Sequence, residues 1–151
     1  MSAGSIQIFL SYAGADAFEA SLLQYAVESL LVDMGAKVWT YQRDQSRDQQ
    51  TIAFDIKSRI HQSRALIFLV SPATIELGTT QWMEFAYADA FGIPIFVLLN
   101  HLTYNDLRAR GKGVPPLLLQ TKCNDATTWP DVIQELRSRL MNAPINLNEA
   151  P

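Results

Sequence analysis

The chain is poor in the residues that build stapled, metal-bound or membrane-spanning proteins. Its single cysteine, Cys123, has no partner for an internal disulfide. A chain of 151 residues needs none, because a domain of this size buries roughly 68–70% of its unfolded surface. Scarce thiol also fits a reducing compartment, which points to a cytoplasmic protein, and Cys123 reads as a small buried hydrophobe rather than a nucleophile. The only histidines are His61 and His101, and neither has Cys or His partners at zinc-ligand spacing, so no metal is expected. The longest apolar runs, such as Ala65–Val70 and Ile93–Leu99, fall far short of the ~20 residues a bilayer requires, so no membrane association is expected. Met1–Ser5 lacks a basic region followed by an apolar stretch, so no secretory leader is expected.

Excess positive charge is missing too. The net charge is -3, which disfavours nucleic acid as a partner, since the phosphate backbone is normally met by a basic face. Arg43, Arg47, Arg59 and Arg64 are interleaved with Asp44, Asp48 and Asp55 and read as a solvated mixed-charge surface. Gly111-Lys112-Gly113 runs into Val114-Pro115 and is not a phosphate loop. No Gly-x-Gly-x-x-Gly follows a strand, and no Gly-x-Ser-x-Gly supplies a nucleophile elbow. Ser11-Tyr12 stands where a phospho-acceptor receiver would want paired aspartates after its first strand.

What is present is a balanced globular composition, 48% hydrophobic and 18% charged, in which short apolar runs alternate with amphipathic stretches. Ile6–Leu10, Lys37–Tyr41, Ala65–Val70, Pro94–Leu99 and Leu117–Thr121 read as strands. Between them, helices are expected from Asp16 to about Met34, over Thr51–Gln62, over Thr80–Gly92 and from Thr128 to about Met141. A short helix is expected over Tyr104–Arg110, loops over 42–50 and 73–79, and a loose tail over 142–151. Phe18, Leu22, Leu23, Ala26, Leu30 and Leu31 mark the expected core stripe of the first helix, and Ile52, Ile56 and Ile60 that of the second. The alternation predicts one α/β domain over residues 1–141, a five-stranded parallel sheet with helices on both faces. Ligands of such sheets bind beyond the carboxyl ends of the strands. That rim holds 11–15, 42–50, 72–79 and the start of the Thr80–Gly92 helix.

That helix dominates the reading. Gly92 and Pro94 suit its end. Trp82, Ala86 and Ala90 share a face at four-residue spacing, and Glu84 lies about 200° round from Trp82. Trp82 and Glu84 are therefore not expected in one pocket, and Glu84 reads as solvated or salt-bridged.

Ile8-Phe9-Leu10-Ser11-Tyr12-Ala13 followed by Asp16 resembles the first sequence box of TIR domains. Val38–Tyr41 with its polar loop, Arg64–Pro72 ending in Ser-Pro, and the Trp82 helix fall in the same order as the family's later boxes. The resemblance spans roughly Ile6 to Met141. It implies a flavodoxin-like fold and one of two roles. Many bacterial members cleave the nicotinamide–ribose bond of NAD, as substrate rather than cofactor, giving nicotinamide and an ADP-ribose-type product, in some cases cyclic or conjugated. Others are adaptors that self-associate without catalysis. A single TIR domain of the enzymatic kind resembles the Thoeris anti-phage sensors, whose diffusible product reaches a separate effector.

In the enzymes a glutamate four residues after the tryptophan steadies the positive charge that develops as nicotinamide leaves. Counted from Trp82, that position holds Ala86. Three readings follow: a shifted register with Glu84 in the role, a naturally non-catalytic domain, or an alanine introduced for the glutamate. The count from Trp82 favours a chain inactive through Ala86. Ser11, Tyr12 and Trp82 are the other candidates for contact with the dinucleotide, with Tyr41 and Arg43 at the base of the polar loop.

Overall fold

The computed structural model describes residues 5–40, 49–77, 79–110 and 114–142. Five parallel strands form one sheet in the order β2-β1-β3-β4-β5, with β1 at Ile6–Ser11, β2 at Ala36–Thr40, β3 at Ala65–Val70, β4 at Ile95–Leu99 and β5 at Cys123–Asp125. This is the flavodoxin-like order. Helices α1 (Ala17–Leu30), α2 (Gln49–His61), α3 (Pro72–Leu77), α4 (Thr79–Ala90), α5 (Tyr104–Arg110), α6 (Pro116–Leu119) and α7 (Trp129–Asn142) complete the chain.

Side chains alternate across a strand, and the sheet divides the core accordingly. Ile8, Leu10, Ile67 and Leu69 face α1 and α7, where they meet Leu23, Val27, Leu136 and Leu140. Phe9, Leu66, Phe68 and Val70 face the other way and pack with Ile56, Ile60, Phe85 and Leu107 from α2, α4 and α5. All six residues of β3 are buried, as a central strand covered on both faces requires. Ile56 and Ile60 are fully buried on α2, as its periodicity predicts, whereas the side chain of Ile52 is outside the described residues.

Three expectations are corrected. The apolar run Leu117–Leu119 is helical, not a strand: α6 is capped by Pro115, begins at Pro116 and buries only Leu118. The fifth strand instead comprises Cys123, Asn124 and Asp125, and its register is set by pairing with Val97, Leu98 and Leu99. Residues 72–77, expected as loop, form α3. On α1, the buried side chains are Ala20, Leu23 and Val27, while Phe18 (72% exposed), Leu22 (57%) and Leu30 (50%) point outward. That helix also ends at Leu30, and a short 3-10 turn over Val32–Met34 carries the chain to Gly35 at φ 69°.

The end of α4 follows the sequence closely. Gly92 has φ 71°, its N–H donates to the Asp89 carbonyl, and the Ile93 N–H donates to the Ala88 carbonyl. This double closure of the last turn needs a residue that tolerates the left-handed region.

Candidate functional site

Reversal of strand order between β1 and β3 leaves a crevice at their carboxyl ends, where ligands of open α/β sheets are held. Seven polar or charged residues are buried in the described structure, and all but Ser63 gather at this crevice: Ser11, Asp16, Ser71, Thr74, Gln81 and Glu84. Polar groups are buried at a cost unless they bond one another, so such clustering singles out the site.

The cluster is two linked sets of bonds. Ser11, the last residue of β1, donates its hydroxyl to Glu84 Oε1 at 2.5 Å. Gln81, one helical turn before Glu84, donates from Nε2 to the Leu69 carbonyl at 2.5 Å and to the Ser11 carbonyl at 3.3 Å. One amide thus ties the ends of the two strands together. Beside it, the Ser71 hydroxyl donates to the Asp16 carboxylate. The Ser71 N–H donates to Thr74 Oγ1 at 3.1 Å, and that hydroxyl donates to the Leu69 carbonyl at 3.4 Å. Asp16 stands at the N-cap of α1, but its side chain makes no cap bond. The tertiary partner Ser71 takes it instead.

Helix α4 lies with Gln81, Glu84, Phe85 and Ala88 against the sheet and buries all four. These positions follow i, i+3, i+4, i+7 spacing, one face of a helix. Here the structure corrects the face expected from sequence. Ala86 and Ala90 are exposed, so Ala86 is outside the buried cluster. Glu84, expected in solvent, is fully buried. Trp82 lies at the edge of the inward face, partly buried, with its ring 5.5 Å from that of Phe68. Indole and carboxylate thus both reach the sheet, on either side of Phe85.

Of the other candidate residues, Ser11 is in the cluster. Tyr12 packs against the α1/α7 half of the core, on the far side of the sheet from Glu84. Tyr41 and Arg43 lie outside the described residues. Asp16, Ser71, Thr74 and Gln81 were not singled out as site residues. Asp16 and Ser71 do stand in the stretches that resemble the TIR boxes, whereas Thr74 and Gln81 carry no signal beyond being polar. Among the described residues, no group of three or more His, Cys, Asp or Glu side chains is placed to hold a metal ion. No described helix is long and apolar enough to cross a membrane.

No protein-family model matches the chain, and no curated protein matches it. Solved structures do. A 2-desoxiribosyltransferase from Leishmania mexicana superposes with a TM-score of 0.61 at 15% identity, covering 91% of this chain and 99% of that one. A metazoan TIR-STING receptor from C. gigas gives 0.61 at 23% identity, covering 84% of this chain but only 38% of the receptor. The TIR domains of the activated Roq1 resistosome give 0.53 at 13% identity, over 93% of this chain and 75% of that one. With its strand order and its crevice at the β1/β3 ends, the chain has a TIR-like, flavodoxin-like α/β fold.

Proposed function

We propose that the β1/β3 crevice cleaves the bond between nicotinamide and ribose in NAD, with Glu84 rather than residue 86 as the working carboxylate. The observation that carries this is the buried pair of Glu84 and Ser11 at the switch point. As the bond breaks, its electron pair goes to the pyridinium nitrogen, nicotinamide leaves neutral, and positive charge grows on the anomeric carbon. Water or another hydroxyl then adds to that carbon and gives up its proton. A fixed carboxylate in a low-dielectric site favours the charged transition state over the ground state. Because Glu84 is fully buried, the sugar hydroxyls reach it by taking the place of the Ser11 hydroxyl. The Leishmania protein is by name a deoxyribosyl transferase; transfer of that group likewise makes and breaks bonds at an anomeric carbon. Under this reading Ala86 is a surface residue and the chain as it stands is competent. An ADP-ribose-type product would then act on a separate effector, as in anti-phage signalling, and the domains would self-associate, as the assembled Roq1 structure does.

A second reading is a non-enzymatic association module. The complete burial of Glu84 favours it, since a carboxylate out of solvent can serve architecture alone. Such a module would assemble through the polar loop 42–50, which lies largely outside the described residues. Chromatographic measurement of nicotinamide release separates the readings. The chain should turn over NAD, Glu84→Gln should lose about 10²–10³-fold while remaining folded by circular dichroism, and Ala86→Glu should change little. An inert chain revived by Ala86→Glu would return the role to position 86. Inert chains throughout, even when concentrated, would leave the association module.

A further inference from the structure

On the other face of the sheet, beyond the carboxyl ends of β3 and β4, lies a cavity of about 540 Å³. It is within the range of small-molecule sites, roughly 300–1,000 Å³, and meets the Glu84 cluster only at Leu69, whose carbonyl accepts from Gln81 and Thr74. Its walls are apolar and include Leu22, Leu98 and the aromatic side chains of Tyr25 and Trp129. Polar side chains break this lining at Glu19 on α1, at Asn100 just past β4 and at Thr127, and Asn100 Nδ2 donates to Glu19 Oε2 at 3.4 Å. Among the described residues, no lysine, arginine or histidine lines the cavity, and none forms an ion pair with Glu19. The chain turns away after Asn100 through His101, which has φ 59°, a conformation uncommon outside glycine.

We propose that this cavity is a second ligand site, and that it takes a small amphipathic organic cation, an aromatic or alkyl ammonium. The argument is one of charge and shape. A half-buried carboxylate with a long hydrogen bond and no cationic partner among the described residues favours a positive ligand. Aromatic faces add a cation–π attraction for such a head group. The apolar remainder of the wall favours alkyl or aryl bulk attached to the cationic head. Ala26 also lines the cavity, so a larger side chain there fills it.

The site is tested on the whole chain by ¹H–¹⁵N spectroscopy with benzyltrimethylammonium, using uncharged neopentylbenzene as its isostere. The cation should give saturable shifts at Ala26, Thr127 and the Trp129 indole. Glu19→Gln should weaken it about tenfold, and Ala26→Trp should abolish it in a protein that still melts cooperatively. Equal binding of the isostere, or indifference to Glu19→Gln, would overturn the assignment. Shifts confined to Ser11, Gln81 and Glu84 would also do so, because the probe would then belong to the β1/β3 crevice. A dimer in sedimentation that Leu22→Glu dissociates, and that blocks the probe, would show that a second copy covers this face. None of these readouts depends on NAD turnover, so the site stands or falls apart from the reading of Glu84.

Discussion

Both faces of this sheet are covered by an apolar core, but they differ at the carboxyl ends of the strands. At the β1/β3 ends, under α4, the chain buries hydroxyls, an amide and two carboxylates and makes them bond one another. Under α1 and α7 the core is apolar, and the apolar character continues outward to Phe18, Leu22, Tyr25 and Trp129 at the surface. A hydrogen-bonded polar cluster is specific but adds little net stability, because each bond replaces one made with water. An apolar layer contributes most of the stability and little specificity. The face under α4 therefore combines an apolar core with the polar cluster, whereas the face under α1 and α7 relies on apolar packing.

Neighbouring leucines on α1 give the sharpest test of that division. Leu23→Ala should cost about 2–5 kcal/mol in chemical denaturation, through lost burial and a residual cavity. Leu22→Ala, the same change one residue earlier, should stay within about 0.5 kcal/mol. Equal costs would mean that the exposed face of α1 is covered in solution.

In the polar cluster, Ser11→Ala should cost about 1–3 kcal/mol, because it removes the donor that Glu84 Oε1 accepts in a buried setting. Restoring stability with the double variant Ser11→Ala, Glu84→Leu would show that the cost lies in the buried carboxylate that has lost this donor. A Ser11→Ala protein as stable as the parent would break the contrast.

The smallest effect belongs to a surface link on the apolar side. The Arg137 guanidinium donates to both Asp33 oxygens, chiefly by hydrogen bonding, and holds the Asp33 carboxyl below its ordinary range. A carboxyl depressed in the folded state contributes stability above its unfolded pKa and loses it as pH falls through its folded value. The gap between the parent and Arg137→Ala should therefore be small near neutrality and close in acid, as melting curves across that range will show. A gap that widened in acid would exclude this pair as its source.

Legibility differs between the elements for physical reasons. Strands β1, β3 and β4 could be read almost to the residue, because doubly buried strands are continuous apolar runs. β5 could not, since Cys123-Asn124-Asp125 carries no pattern and exists through its pairing with β4. The longer helices were legible, but the short α3 and α6 were not, and α1 and α4 present other faces than expected. On α1 both faces are apolar, and periodicity alone does not choose between them. On α4 half of the inward residues are Gln81 and Glu84, so hydrophobicity pointed to the Trp82-Ala86 face instead.

Alternating apolar runs, the helix stop at Gly92 and the shortage of cysteine and positive charge settle the class of fold from sequence, because they are local or additive properties of the chain. The position of the carboxylate is neither. Whether Glu84 or Ala86 meets the strand ends depends on how α4 rolls against β1 and β3. That roll is set by Phe85 and Ala88 packing on the sheet and by Gln81 bonding two carbonyls from separate strands, partners up to 70 residues apart.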